Sequence, residues 1–232
     1  MLLFSVLTAA VAPGISLLIY LYLKDRYDTE PIHMVIRLFL LGVLIVVPTM
    51  VIGRGMELWW GESHFVLAFI QSAGVEEFLK WFVLYHVIYN HTEFDEPYDG
   101  IVYAASISLG FATLENVLYA IFSPATFGTL LVRALLPVSG HALFGVIMGY
   151  YLGKARFAPA SRARSYLLLS LIIPMALHGS YDWIMLTAKA HWIYVIIIPF
   201  MLLLWIWGLR MLQRANARSP FRLLVREDEV KL

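Results

Sequence analysis

The stretch SAGVEEFLKW, residues 72–81, places two adjacent glutamates, Glu76 and Glu77, about eleven residues into an apolar segment spanning residues 65–89. Hydrocarbon has no water to solvate a carboxylate, so acids at that depth need a partner, a proton or a metal ion. Lys80 lies four residues from Glu76 and three from Glu77, which is ion-pair spacing on a helix. Two acids against one lysine still leave surplus charge, and repulsion within the pair favours a shared proton. The other partners must come from elsewhere in the chain.

The composition sets the class. Of 232 residues, 61% are apolar, 15% aromatic and 14% charged, where a soluble domain carries about 25% charge. The mean hydropathy is +0.77. A multi-pass membrane protein follows, with lipid as its surroundings. The net charge of +1 says nothing about nucleic acid, which is not among the expected partners. The chain has no cysteine, so disulfides and thiolate ligands are excluded while oxygen and imidazole ligands remain. The first charges, Lys24, Asp25 and Arg26, follow the first apolar run rather than precede it, unlike a cleavable signal peptide.

Outward from the glutamates, the hydropathy pattern predicts an all-α bundle of about seven spans: residues 2–22, 35–52, 65–89, 101–122, 130–152, 166–187 and 192–209. Residues 1–209 form the expected membrane domain, and residues 210–232 a short tail of mixed charge. Basic residues follow spans one (Lys24, Arg26), five (Lys154, Arg156, Arg162, Arg164) and seven (Arg210, Arg214, Arg218, Arg222). These groups share one side if the spans alternate. The positive-inside rule then predicts the N-terminus outside and the C-terminus in the cytoplasm.

Polar residues within the spans are few. At 1.5 Å per residue, Glu76, Glu115, His141, His178 and Asp182 lie roughly 8–17 Å below the outer surface. Four helices thus bring titratable groups to one layer. Ser72, Glu76 and Lys80 share a stripe, as do Ser108, Ala112 and Glu115. His141 recurs with Gly145, Gly149 and Gly153 at four-residue spacing, which turns the histidine toward a closely packed neighbour. Asp182 lies one turn after His178, close enough to orient its ring, ligate or cap. Pro137 and Pro174 each stand four residues before a histidine, where they either shape packing or free a carbonyl. His33, His64, His86, His91 and His191 fall at span ends and read as interface or loop residues.

Acids and two histidines support two chemistries. In one, zinc takes imidazole and carboxylate ligands and a further glutamate serves as base. In the other, a glutamate activates water directly and a histidine donates to the oxyanion. The ligands would be spread over several helices, because no HExxH occurs. A proton-coupled transporter or a seven-span lipid hydrolase would use the same groups differently.

Four motifs in order, EEFLK (76–80), GFATLEN (110–116), RALLPVSGHALFG (133–145) and HGSYD (178–182), resemble the PrsW family. These bacterial membrane proteases lie within the wider CAAX-protease-like superfamily. The resemblance extends to residues 9–31 and to FDEPYDGIVY (94–103), nearly the whole chain except the tail. It implies a membrane endopeptidase of the bacterial cell membrane that makes the first cut in a single-pass anti-sigma factor during envelope stress. It implies Glu76 and Glu77 as core acids with Glu115, His141 and His178 as partners. Zn2+ is the expected metal, with Glu115, His141 and His178 as ligands. Asp182 stands where many CAAX-type relatives carry asparagine, and an ionised aspartate, unlike an amide, cannot donate to an oxyanion.

Overall fold

The computed structural model describes residues 2–60, 63–123 and 126–222, without the side chains of residues 2–4, 60, 190 and 191. No strand occurs among them. The helices are α1 (Leu2–Tyr22), α2 (Ile32–Trp60), α3 (Ala73–Ile88), α4 (Asp99–Phe122), α5 (Phe127–Arg133), α6 (Ser139–Arg156), α7 (Ala160–Thr187) and α8 (Ala190–Asn216). Two π-helical segments, Val66–Ser72 and Ala134–Val138, lead into α3 and α6.

Six helical stretches among the described residues are long and apolar enough to cross a membrane. The expected third span differs from these. Residues 64–88 are helical throughout, but α3 proper has 16 residues and holds Glu76, Glu77 and Lys80. Its charge is what separates it from the other spans, and that charge is the site. The expected fifth span is continuous through α5, the π turn and α6. Pro137 sits inside that turn, which accommodates a residue lacking its backbone donor. α8 runs past residue 209 to Asn216, so the first turns of the expected tail continue the last span. Residues 223–232 of that tail lie outside the described residues.

The bundle is organised around α4, which is buried over most of its length. Lipid tails are as apolar as leucine, so helices associate in a membrane by close packing more than by burying oil from water. Glycines permit that approach here. A Cβ on Gly149 of α6 would lie 2.0 Å from the Gly100 carbonyl oxygen at the start of α4, and one on Gly42 of α2 would lie 2.0 Å from that of Ile107. Outward faces carry exposed Leu40, Leu44, Val47 and Val51 on α2 and Leu202, Leu203 and Ile206 on α8. Such faces suit lipid.

Candidate active site

α3, α4, α6 and α7 bring the six expected residues to one place. Lys80 Nζ donates to Glu77 Oε1 at 2.8 Å and to Glu76 Oε2 at 3.3 Å. It also lies 3.1 Å from His141 Nδ1. An ammonium only donates, so Nδ1 accepts, and His141 Nε2–H donates to Glu115 Oε2 at 2.9 Å. His178 Nδ1–H donates to Glu77 Oε1 at 2.9 Å. Glu77 and Lys80 are fully buried, whereas the Glu76 side chain keeps 12% exposure. Glu77 Oε2 is buried without a hydrogen-bond partner.

Asp182 takes a more distant place than its spacing from His178 implies. Its Oδ2 lies 3.4 Å from His178 Nε2 and accepts from the Ser72 hydroxyl at 2.6 Å. Ser72 Oγ is also 3.3 Å from Glu76 Oε1. Ser72 ends the first π segment; such local widening of a helix is frequent at functional sites. Aromatic walls complete the centre. Phe111 lies 4.1 Å from the ammonium, and Phe144 stacks on His178 with ring centroids 5.0 Å apart. The two imidazoles are 4.9 Å apart, centroid to centroid.

One donor atom from each of Glu76, Glu77, His141 and His178 falls within a set no wider than 4.8 Å. Imidazole nitrogen and carboxylate oxygen are ordinary zinc donors. Glu115 reaches this set through His141 Nε2. Of the histidines read as peripheral, His33, His64 and His86 are exposed and His91 partly so, while the side chain of His191 lies outside the described residues.

Two cavities, of about 890 and 310 Å3, share Ser72, Glu76, Glu115, Arg133 and Asp182 in their walls. The larger also has Gln71 and apolar residues of α2 and α4. Gln71 directly precedes the SAGVEEFLKW stretch and Arg133 opens the RALLPVSGHALFG motif, but neither was among the expected site residues. Arg133 Nε donates to Asn116 Oδ1 at 2.7 Å and its guanidinium lies 4.3 Å from the Tyr119 ring. Gln71 is buried and its Nε2 has no partner. Its place in the apolar run of residues 65–89 is the signal that a buried amide needs explaining.

Residues 30–207 match the family described as PrsW family intramembrane metalloprotease. The chain belongs to the PrsW family. It is therefore a membrane peptidase and a multi-pass membrane protein. Protease PrsW of Bacillus subtilis (strain 168) is 54% identical over 215 residues, which cover 92% of this chain and 97% of that protein. Protease PrsW of Geobacillus kaustophilus (strain HTA426) is 52% identical over 218 residues, covering 92% and 93%. Protease PrsW of Clostridioides difficile (strain 630) is 31% identical over 204 residues, covering 84% and 85%. No solved structure matches the chain. The metalloprotease description of the PrsW family accords with two imidazoles and two carboxylates gathered beside a cavity.

Proposed function

We propose that this PrsW-family peptidase makes the site-one cut in a single-pass anti-sigma factor, in the outer half of the bilayer, using a zinc centre and glutamate as base. The observation that carries this reading is the gathering of Glu76, Glu77, His141 and His178 beside cavities with apolar walls. A membrane-borne peptide suits those walls. The four ordered motifs support the anti-sigma factor, and the basic loops support the outward placement of the site.

His141 and His178 would hold the ion with Glu77, whose Oε2 has a lone pair without a partner. When bound, zinc supplies a water of pKa near 7 and polarises the scissile carbonyl. Glu76 is the acid of the pair with access to the cavity. It takes a proton from water and passes it to the leaving amine. Glu115 fixes the His141 ring through Nε2–H. In this assignment Glu115 orients a ligand instead of filling the ligand place expected for it. Ligation through His178 Nδ1 would displace the proton it gives Glu77 and leave Nε2–H facing Asp182, which Ser72 holds 3.4 Å away. Arg133, on the shared wall, supplies the cationic donor for the substrate carbonyl.

The position of Lys80 favours a second reading. Its ammonium stands among the same donors, 2.8 Å from Glu77 and 3.1 Å from His141. It would itself balance the acids, leaving Glu76 to activate water directly and a histidine to donate to the oxyanion.

The test is purified protein with a single-pass anti-sigma factor, assayed for cleavage on the outward side of its span. Cleavage that fails in Glu76→Gln supports the proposal. An inserted protein that leaves such substrates whole, yet carries protons across vesicles or hydrolyses lipid, overturns it.

A further inference from the structure

The loops YLKDRYDTEP (22–31) and FDEPYDG (94–100) have no part in the active site, yet they converge on one buried point. Asp25, Glu96 and Asp99 each offer a carboxylate oxygen within a set no wider than 4.8 Å. They are 7%, 0% and 1% exposed. Asp99 begins α4 and Glu115 lies sixteen residues on, so the cluster is about 24 Å along the helix from the active site.

Acids alone do not make a site, but these carry more buried oxygens than the nearby donors, Ser219 toward Glu96 and the Tyr27 backbone toward Asp25, can satisfy. Both carboxylate oxygens of Asp25, both of Glu96 and Oδ1 of Asp99 are buried without a well-formed hydrogen bond. Asp99 is held by its other oxygen, which accepts the backbone N–H groups of Asp95 and Glu96 at 2.9 and 2.7 Å. That grip leaves Oδ1 free. Among the described residues no lysine or arginine forms an ion pair with any of the three. Glu30, a fourth buried acid beside them, has its own donor in the Tyr103 hydroxyl. The frame around the cluster is rigid: Tyr98 donates to Leu21 O at 2.9 Å, Tyr22 to Glu30 O at 2.9 Å, and Asn216 Nδ2 to Lys24 O at 3.1 Å. An unpaired buried carboxylate is expensive, and three together are more so.

We propose that Asp25, Glu96 and Asp99 bind a hard divalent cation of the magnesium or calcium class, which ties the α1–α2 loop to the start of α4. An all-oxygen, all-carboxylate set selects hard cations over zinc. The site is structural and separate from the peptidase centre. Protons compete with a cation for carboxylate oxygens, so the test is run at alkaline pH.

The full chain in detergent is stripped with chelator, then given Mg2+ alone or Ca2+ alone. One of the two ions is expected to raise the unfolding midpoint by about 3 °C or more and to remain bound in equilibrium dialysis. The effect persists in His141→Ala with His178→Ala, which disables the other centre. Asp25→Asn combined with Glu96→Gln abolishes both shift and binding. If that pair does not fold, Asp25→Asn alone weakens binding at least tenfold, and unchanged affinity overturns the site. Wild-type protein that binds neither ion and shows no shift overturns it too, as does a shift that survives loss of the acids. The carboxyls would then be holding one another through shared protons.

Discussion

Glu77 and Glu76 are neighbours in sequence with different surroundings. Glu77 is enclosed by Lys80 and His178, while Glu76 keeps access to the cavity. Each should be needed. Glu76→Gln and Glu77→Gln are expected to leave the protein inserted and to reduce cleavage at least tenfold, about 1.4 kcal/mol or more of transition-state stabilisation. Normal cleavage in both variants would remove the pair from the mechanism. Lys80 gives a complementary test on stability. Lys80→Met leaves Glu77 buried and uncompensated, and breaking such a pair costs about 3 kcal/mol or more. Thermal unfolding in detergent should show the loss, and adding Glu77→Gln should recover part of it; equal stability of Lys80→Met and wild type would contradict the pairing. Glu76, Glu77, Glu115, His141 and His178 were all legible in the sequence, because hydrocarbon makes any buried charge conspicuous. Pairings within one helix were legible too: Lys80 meets both glutamates, and Asp182 stands 3.4 Å from His178 Nε2. Pairings across helices were not, such as Glu77 with His178 Nδ1 at 2.9 Å. Contacts across helices depend on rotation about each axis, which a sequence period leaves undetermined.

The helices themselves follow from hydropathy and length, although α2, α7 and α8 each run six to eight residues beyond the expected span at one end. The π segments before α3 and α6 were not legible. Pro137 marks one of them, but residues 66–72 contain neither proline nor glycine, so nothing in their composition announces a wider turn. Small residues were read correctly as signs of close approach, since Gly149 meets the backbone of Gly100. Gly149→Ala should therefore force α6 and α4 apart and destabilise the protein by about 1–3 kcal/mol. Gly55 in α2 has nothing within 4 Å of the place a Cβ would occupy. Gly55→Ala should be neutral or stabilising by up to about 1 kcal/mol. Paired unfolding curves of the two variants check this, and equal effects would contradict the packing of α4 against α6.

For the whole molecule, the positive-inside rule predicts the active site toward the outside and the Asp25 cluster toward the cytoplasm. Single cysteines at Ser63 and Ser161, both exposed, should label from opposite faces of intact membrane, with Ser161→Cys reached after permeabilisation. Labelling of both from one face would contradict the seven-span topology. In the proposed mechanism His141, His178 and Glu77 hold a metal on which cleavage depends. Elemental analysis of purified, active protein, paired with cleavage before and after chelation, tests it most directly. About one zinc per chain is predicted, absent in His141→Ala and in His178→Ala, with cleavage abolished by chelator and restored by zinc. Full cleavage by protein shown to be free of metal would contradict the claim and leave Glu76, Lys80 and the histidines to activate water by themselves.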